Sequence, residues 1–387
     1  MPEASPETLI QHFAEEEHIL GAVVPPIFQN SLFVFESADQ FEASFDPVNN
    51  PGKYNYSRIG NPTLDILERK LAKLEHTDAA KVFGSGMAAI SAAIMSCVEA
   101  GAHVVCVDTA YGPTMQFLRD YLPRFGVETT FVEGLKSEEI FDACRPNTKL
   151  IYLESPGSIV FRIQDLAAIA SFAKSRGILT AIDNSYSTPL LQNPANFGID
   201  IIVHTATKYL GGHSDVVSGA LCCSRSHMDR IMGGELPLLG GILGPFPAWL
   251  LLRGLRTLRV RMDAHERAGN RMAQYLLSHP KVEHVYHVGL PDHPQRALIE
   301  RQMRGSGGLL TFQPKCQDKP TLKRFAESLE IFQMGVSWGG FESLCVPLPF
   351  KTLSWKQERW LVRLYCGLES IEDLIADVDQ ALAGLPD

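Results

Sequence analysis

Apolar and polar positions alternate on two scales along this chain. Short continuous apolar runs, rich in β-branched residues, recur between longer stretches whose apolar residues fall at helical spacing. The runs are AAKVF (79–83), HVVCVD (103–108), ETTFVE (128–133), TKLIYLE (148–154), ILTAID (178–183), IDIIVHTAT (199–207) and GALCCS (219–224). Each predicts a strand. MAAISAAIMSCVEA (87–100), TMQFLRDYLPRFG (114–126) and DLAAIASFAKSRG (165–177) predict helices between them. Apolar strands separated by amphipathic helices imply an α/β fold, with a mainly parallel seven-stranded sheet covered on both faces.

The pattern differs at both ends. Residues 1 to about 55 hold short apolar stretches and prolines, as in VVPPIFQNSLFVFES (23–37), without a sustained helical period, and predict an extended arm. DPVNNPGKYNYSRIGNPT (46–63) predicts a loop, and TLDILERKLAKLE (63–75) a helix starting at Asn61-Pro62-Thr63. Beyond 240, residues 240–279 predict a long helix behind a Pro/Gly loop. SGGLLTFQP (306–314) follows, then a helix near 321–329, IFQMGVSWGG (331–340) and a final helix from about 369. The expected division is an N-terminal arm over 1–55, a large domain over 56–240 and a smaller C-terminal α+β domain over 241–387. There is no internal repeat and no low-complexity linker.

Composition narrows the classes. A chain of 387 residues that is 45% hydrophobic and 20% charged is ordinary for a globular enzyme with one large and one smaller domain. The net charge of -9, without a Lys/Arg cluster, argues against nucleic acid or an acidic membrane as partner. No apolar run approaches the ~20 residues of a membrane helix, and the acidic N-terminus lacks a basic-then-apolar leader. A cytoplasmic protein is expected. The eight cysteines include no C-x-x-C pair and the twelve histidines no H-E-x-x-H spacing, so free thiols and no metal site are expected.

Candidate chemistry begins with Lys208 in HTATKYLGGHSD, just after the apolar run of 199–203. A lysine at the C-terminal end of a strand stands where open α/β sheets bind ligands, and in a partly desolvated site its amine can form a Schiff base. Taken alone, a solvated loop lysine is the commoner case. Asp183 ends ILTAID, 25 residues earlier, and suits a carboxylate partner for a pyridinium nitrogen, or else a turn cap. Gly84-Ser85-Gly86-Met87 joins a predicted strand to a predicted helix, where small residues let backbone N–H groups approach a phosphate. The same text matches G-x-G-x-x-A, with Asp108 22 residues beyond Gly86, so a dinucleotide site stays open as an alternative that leaves Asp183 and Lys208 unexplained.

Nine blocks, in order along nearly the whole chain, make the pattern specific. They are YSRIGNPT (56–63), GSGMAA (84–89), DTAYGPT (108–114), YLESPGS (152–158), AIDNSYSTP (181–189), TATKYLGGHSD (205–215), RGLRTL (253–258), SWGGFESL (337–344) and RLYCGLE (363–369). Together they resemble the Cys/Met-metabolism family of pyridoxal 5'-phosphate (PLP) enzymes, which holds cystathionine β- and γ-lyases, cystathionine γ-synthases and methionine γ-lyases. The resemblance implies the aspartate-aminotransferase-like fold (PLP-dependent transferase fold type I) and an amino-acid substrate. It also implies a homotetramer built as a dimer of dimers, with each active site shared between two chains.

By position, the resemblance makes Lys208 the Schiff-base lysine and proton shuttle, and Asp183 the partner of the pyridine nitrogen. Tyr111 would stack on the ring and move protons. Ser85, Gly86, Met87, Thr205 and Thr207 would cradle the phosphate, and Tyr56 and Arg58 would reach the phosphate in the neighbouring subunit. Arg363 would clamp the substrate α-carboxylate, assisted by Ser337. Without the family, Tyr56, Arg58, Tyr111 and Arg363 read as surface or rim residues.

The branch within the family is less uniform. YLESPGS, GHSD and SWGGFESL resemble cystathionine β-lyase, and most other branches have leucine where Trp338 stands. YSRIGNPT and DNSYSTP resemble the γ branch, and Val336 resembles methionine γ-lyase. Pro113 replaces the cysteine of methionine γ-lyases, and residues 232–247 match no branch well. The expectation is a carbon–heteroatom lyase, with β-elimination from cystathionine ahead of γ-elimination from an O- or S-substituted homoserine-type amino acid such as canavanine, or γ-replacement. An aminotransferase on the same fold is the alternative from another class.

Overall fold

Each of the seven apolar runs of the first half forms a strand: β1 (Ala79–Phe83), β2 (His103–Val107), β3 (Glu128–Val132), β4 (Thr148–Glu154), β5 (Leu179–Asp183), β6 (Ile201–His204) and β7 (Gly219–Cys223). They make one sheet in the order β1-β7-β6-β5-β4-β2-β3 in this computed structural model, which describes residues 4–16, 18–45, 52 and 54–386. β7 is antiparallel to both neighbours, and the other pairings are parallel. Every residue of β2, β6 and β7 is buried, because helices cover both faces. β1 therefore runs the same way as β4, β5 and β6, and the C-terminal ends of these four strands share one edge. That edge is where open α/β sheets bind ligands.

A second sheet forms from β8 (Val282–Tyr286), β9 (Leu309–Pro314), β10 (Gln333–Met334), β11 (Leu344–Phe350) and β12 (Arg359–Tyr365), in the order β10-β11-β12-β9-β8. It has its own core. Leu310, Phe312 and Leu364 pack with Leu322 and Phe325 of the Lys319–Glu327 helix and with Leu374, Val378 and Leu382 of the Ile371–Ala383 helix. Asn61 caps the Pro62–Leu74 helix as its sequence predicts, accepting the Thr63 N–H at 3.0 Å. The seven-stranded α/β expectation holds. Among the described residues no helix is long and apolar enough to cross a membrane.

Three local expectations need correction. The arm is not wholly extended: Pro6–His12 is a helix, capped by Ser5, that buries Leu9 and Ile10 in the main core. Seven residues are too few to display a period in sequence. Residues 114–126 are not one α-helix; they pass from α at Gly112–Gln116 through a wider turn at 117–121 to a tight one at Leu122–Phe125, where Pro123 has no N–H to give. The long helix after 240 is two, Pro245–Arg256 and Leu258–Leu277, broken at Thr257, whose hydroxyl bonds the Gly254 carbonyl at 3.1 Å. The predicted loop of 46–63 falls outside the described residues at 46–51 and 53.

Candidate active site

β6 ends at His204, and the chain then turns tightly, with Lys208 N–H bonded to Thr205 O at 3.1 Å and Gly212 N–H to Lys208 O at 2.8 Å. The turn projects Lys208 towards the second sheet. Its Nζ donates to Ser337 Oγ at 2.7 Å and lies 5.3 Å from the centre of the Trp338 indole. Burial, helped by the Arg363 guanidinium and opposed by Asp183, lowers the amine to about 8. A lysine so placed has a sizeable free-base fraction near neutral pH, as a nucleophile or base requires.

Asp183 ends β5 one strand away and is buried. Both of its bonds fall on Oδ1, from Ser185 N–H at 2.9 Å and Ser185 Oγ–H at 2.5 Å. Ser185 Oγ in turn accepts the Thr205 N–H at 2.6 Å, which ties the end of β5 to the segment carrying Lys208. Beside Asp183 in the sheet register stands Glu154, at the end of β4. Its oxygens accept from the Tyr111 N–H and the Ser158 hydroxyl, both at 2.6 Å. Burial pushes both carboxyls upward, and for Glu154 the neighbouring Asp183 charge adds to it; hydrogen bonds from Ser185 and from Ser158 and Tyr111 oppose the rise.

The Gly86–Met95 helix starts at the same edge, capped by Ser85, whose Oγ accepts the Ala88 N–H at 3.0 Å. Gly86 faces Thr205 so closely that a Cβ there would lie 2.2 Å from Thr205 Oγ1. Gly219, opening β7, is equally tight: a Cβ would lie 2.3 Å from Ser85 O. Thr207 Oγ1 donates to Ser218 O at 3.1 Å and accepts the Ser218 N–H at 3.0 Å. Ser85, Gly86 and Thr205 thus meet where the backbone donors of this helix N-terminus start, with Met87 in its first turn and Thr207, two residues beyond Thr205, tied to Ser218. That donor set suits a phosphate. Asp108 does not serve it: its carboxylate bonds Arg162 Nη1 at 3.1 Å and the Leu353 N–H at 2.7 Å. The dinucleotide alternative therefore loses its ribose acceptor.

Tyr111 precedes the short Gly112–Gln116 helix and is 42% exposed. Its phenol is raised by partial burial and by Asp183 and Glu154, and lowered by Arg363, so all of these lie within electrostatic reach. Arg363, on β12, donates through Nη2 to the carbonyls of Val336 at 2.7 Å and Ser337 at 3.2 Å. Tyr56 and Arg58 lie apart from this group. The Arg58 guanidinium sits 5.5 Å from the Tyr56 ring centre and donates to Pro237 O at 2.8 Å; among the described residues no bond links either to Lys208 or Asp183.

Three neighbours of the site were not among its expected members. Glu154 ends an apolar strand just as Asp183 does, which was a usable signal. Ser185 follows Asp183 by two positions. Trp338 packs against Tyr209 at 5.3 Å and Tyr186 at 6.5 Å and forms the wall beside Lys208.

The model of the family "Cys/Met metabolism PLP-dependent enzyme" matches residues 7–383. The chain belongs to that family. It is 39% identical over 387 residues to the L-methionine gamma-lyase of Porphyromonas gingivalis, covering 97% of this chain and 96% of that one. It is 38% identical over 374 residues to the cystathionine gamma-lyase of Bacillus subtilis, covering 94% and 95%, and 37% identical over 389 residues to the chloroplastic cystathionine beta-lyase of Mimosa pudica, covering 98% and 82%. The solved structure of metB from Corynebacterium glutamicum superposes with a TM-score of 0.91 at 33% identity, covering 99% of each chain. The protein is a PLP-dependent carbon–sulfur lyase of fold type I, and PLP is its cofactor.

Proposed function

We propose that the protein cleaves the Cβ–S bond of cystathionine, giving homocysteine, pyruvate and ammonia with uptake of one water. The observation that carries this reading is the setting of Lys208, tethered to Ser337 Oγ at 2.7 Å and walled by Trp338. β-Elimination asks this amine for one proton, at Cα. γ-Elimination asks it to travel on and move protons at further carbons, for which a tethered and walled lysine is less suited.

Placement supports the following residue roles. Lys208 would hold PLP covalently, and its amine is the base placed to take the Cα proton of the substrate. PLP supplies the electron sink that stabilises charge developing at Cα. Asp183, with no described donor on Oδ2, keeps the ring nitrogen protonated. Ser85, Gly86, Met87, Thr205 and Thr207 hold the phosphate. Tyr111, whose backbone Glu154 fixes, would border the ring and pass a proton to the departing sulfur. Arg363 and Ser337 hold the substrate α-carboxylate, with the remaining guanidinium N–H groups providing the fork. Tyr56 and Arg58, with no described bond to Lys208 in their own chain, would reach the phosphate in a neighbouring subunit of a dimer-of-dimers tetramer. A cytoplasmic location fits a small amino-acid substrate.

A second reading has its own support. Relatives named methionine and cystathionine gamma-lyases are as similar to this chain as the one named beta-lyase. Val336 is 86% exposed at the rim of the site and leaves no charge there to select an amino group on the distal arm. The holoenzyme should therefore be given cystathionine, methionine, cystine, O-acetyl- and O-succinyl-homoserine and canavanine, with every product measured. Pyruvate with homocysteine from cystathionine is the expected result. 2-Oxobutyrate or homoserine from a γ-substituted substrate, with no pyruvate from cystathionine, moves the assignment to the γ branch.

A further inference from the structure

On the far side of β5 and β6 from the phosphate cradle lies a buried carboxylate that the reaction does not use. Glu75 is wholly enclosed, as is its partner His204. It caps the C-terminus of the Pro62–Leu74 helix, where the helix dipole disfavours negative charge. A carboxylate that is both desolvated and at the wrong end of a helix is doubly costly, and an apolar side chain would fill the space without that cost. What it does that an apolar side chain would not is visible in its bonds. One oxygen, Oε1, accepts from Asn184 Nδ2 at 2.9 Å and pairs with His204 Nε2 at 2.6 Å.

Those two partners are adjacent in sequence to the site. Asn184 follows Asp183, and His204 precedes Thr205. Side chains alternate along extended chain, so Asp183, Ser185 and Thr205 point to one face while Asn184 and His204 point to the other. The ends of β5 and β6 are thus pinned twice. Ser185 Oγ joins Asp183 to Thr205 on the cofactor side, and Glu75 joins Asn184 to His204 behind them. The backbone bond from Asn184 N–H to Val203 O, 2.9 Å, lies between the two pins. Asn184 Nδ2 also reaches Gln192 O at 3.1 Å, and Asn193 Nδ2 covers the Leu74 carbonyl at 2.7 Å, so the loop after β5 closes over the carboxylate.

We propose that Glu75 is a positioning residue for the cofactor: by clamping Asn184 and His204 together it fixes the spacing between Asp183, at the ring nitrogen, and Thr205, at the phosphate. The proposal rests on the roles assigned above to Asp183 and Thr205. A clamp of this kind sets how well two separate contacts fit one rigid ligand, and its loss should loosen that ligand even where the fold survives.

The test is the rate of PLP release from the holoenzyme, followed by loss of cofactor absorbance in the presence of a PLP-binding trap. It is run on the wild type, Glu75→Met, Asp183→Asn and the double variant, with the thermal midpoint of each cofactor-free form as control. Glu75→Met keeps the volume but removes the oxygen that accepts from Asn184 and His204, and is expected to speed release about tenfold, the lower end of what outer partners of a bound group contribute. In the Asp183→Asn background the same change should add little, because the contact it positions is already weakened. An equal acceleration in both backgrounds, or a lowered thermal midpoint with unchanged release, overturns the proposal and leaves Glu75 a packing residue. Release unaffected by Asp183→Asn alone contradicts the site assignment instead. Should Glu75→Met not fold, His204→Leu removes one arm of the clamp while leaving the bond to Asn184, and the same pattern is required of it.

Discussion

Replacing Lys208 by alanine is expected to lower turnover by about three orders of magnitude or more, on whichever substrate the wild type uses best, with little change in thermal stability. The size follows from two losses. The covalent anchor proposed for the cofactor goes, and so does an amine beside the site that is shifted towards its free base, about 8 against the ordinary lysine range. The shift has a direction that matters: burial and Arg363 disfavour the ammonium, so a larger share of Lys208 is unprotonated at neutral pH than for a lysine in water. Lys208→Arg is expected to be as damaging as alanine, because a guanidinium keeps the charge and offers no free base. The fold should tolerate both, since the side chain makes one hydrogen bond, to Ser337. A variant retaining more than a tenth of wild-type turnover contradicts the role.

The second large effect belongs to Asp183→Asn. The amide keeps the volume and can still accept from Ser185 N–H and Oγ–H, so the end of β5 should hold its shape. What it lacks is the negative charge proposed above to keep the ring nitrogen protonated. kcat is expected to fall by about two to three orders of magnitude, the scale found when one preorganised electrostatic partner is removed, with KM changed far less. The split matters: a merely structural role for Asp183 would lower the thermal midpoint and move kcat and KM together. An unchanged kcat would show that the ring nitrogen needs no partner here.

Much of this was legible in the sequence because the decisive features are local. A run such as ILTAID that ends in a carboxylate states both a buried parallel strand and a polar group at its exit. GSGMAA states a tight entry into a helix, which the contact between Gly86 and Thr205 explains. Features that depend on pairing across the fold were not legible. Glu154 shows in sequence as a carboxylate ending a strand, but its partners do not: the register sets it beside Asp183, and Tyr111, 43 residues earlier, donates to it. Glu75 reads as the end of an amphipathic helix and becomes a clamp only when β5 and β6 lie side by side. The helix of Pro6–His12 escaped for a different reason: its two buried residues are too few to show a period, and its place is fixed by tertiary contacts such as Lys70 Nζ to Ile10 O at 2.8 Å. The break at Thr257 likewise depends on one side-chain hydrogen bond inside an otherwise helical pattern.

The most direct test of the account is to reduce the holoenzyme with borohydride, digest it and locate the pyridoxyl group by mass spectrometry. The account predicts one labelled lysine, in the peptide carrying Thr205-Ala206-Thr207-Lys208-Tyr209. A label on any other lysine, or none at all on protein that shows the cofactor absorbance, would contradict it.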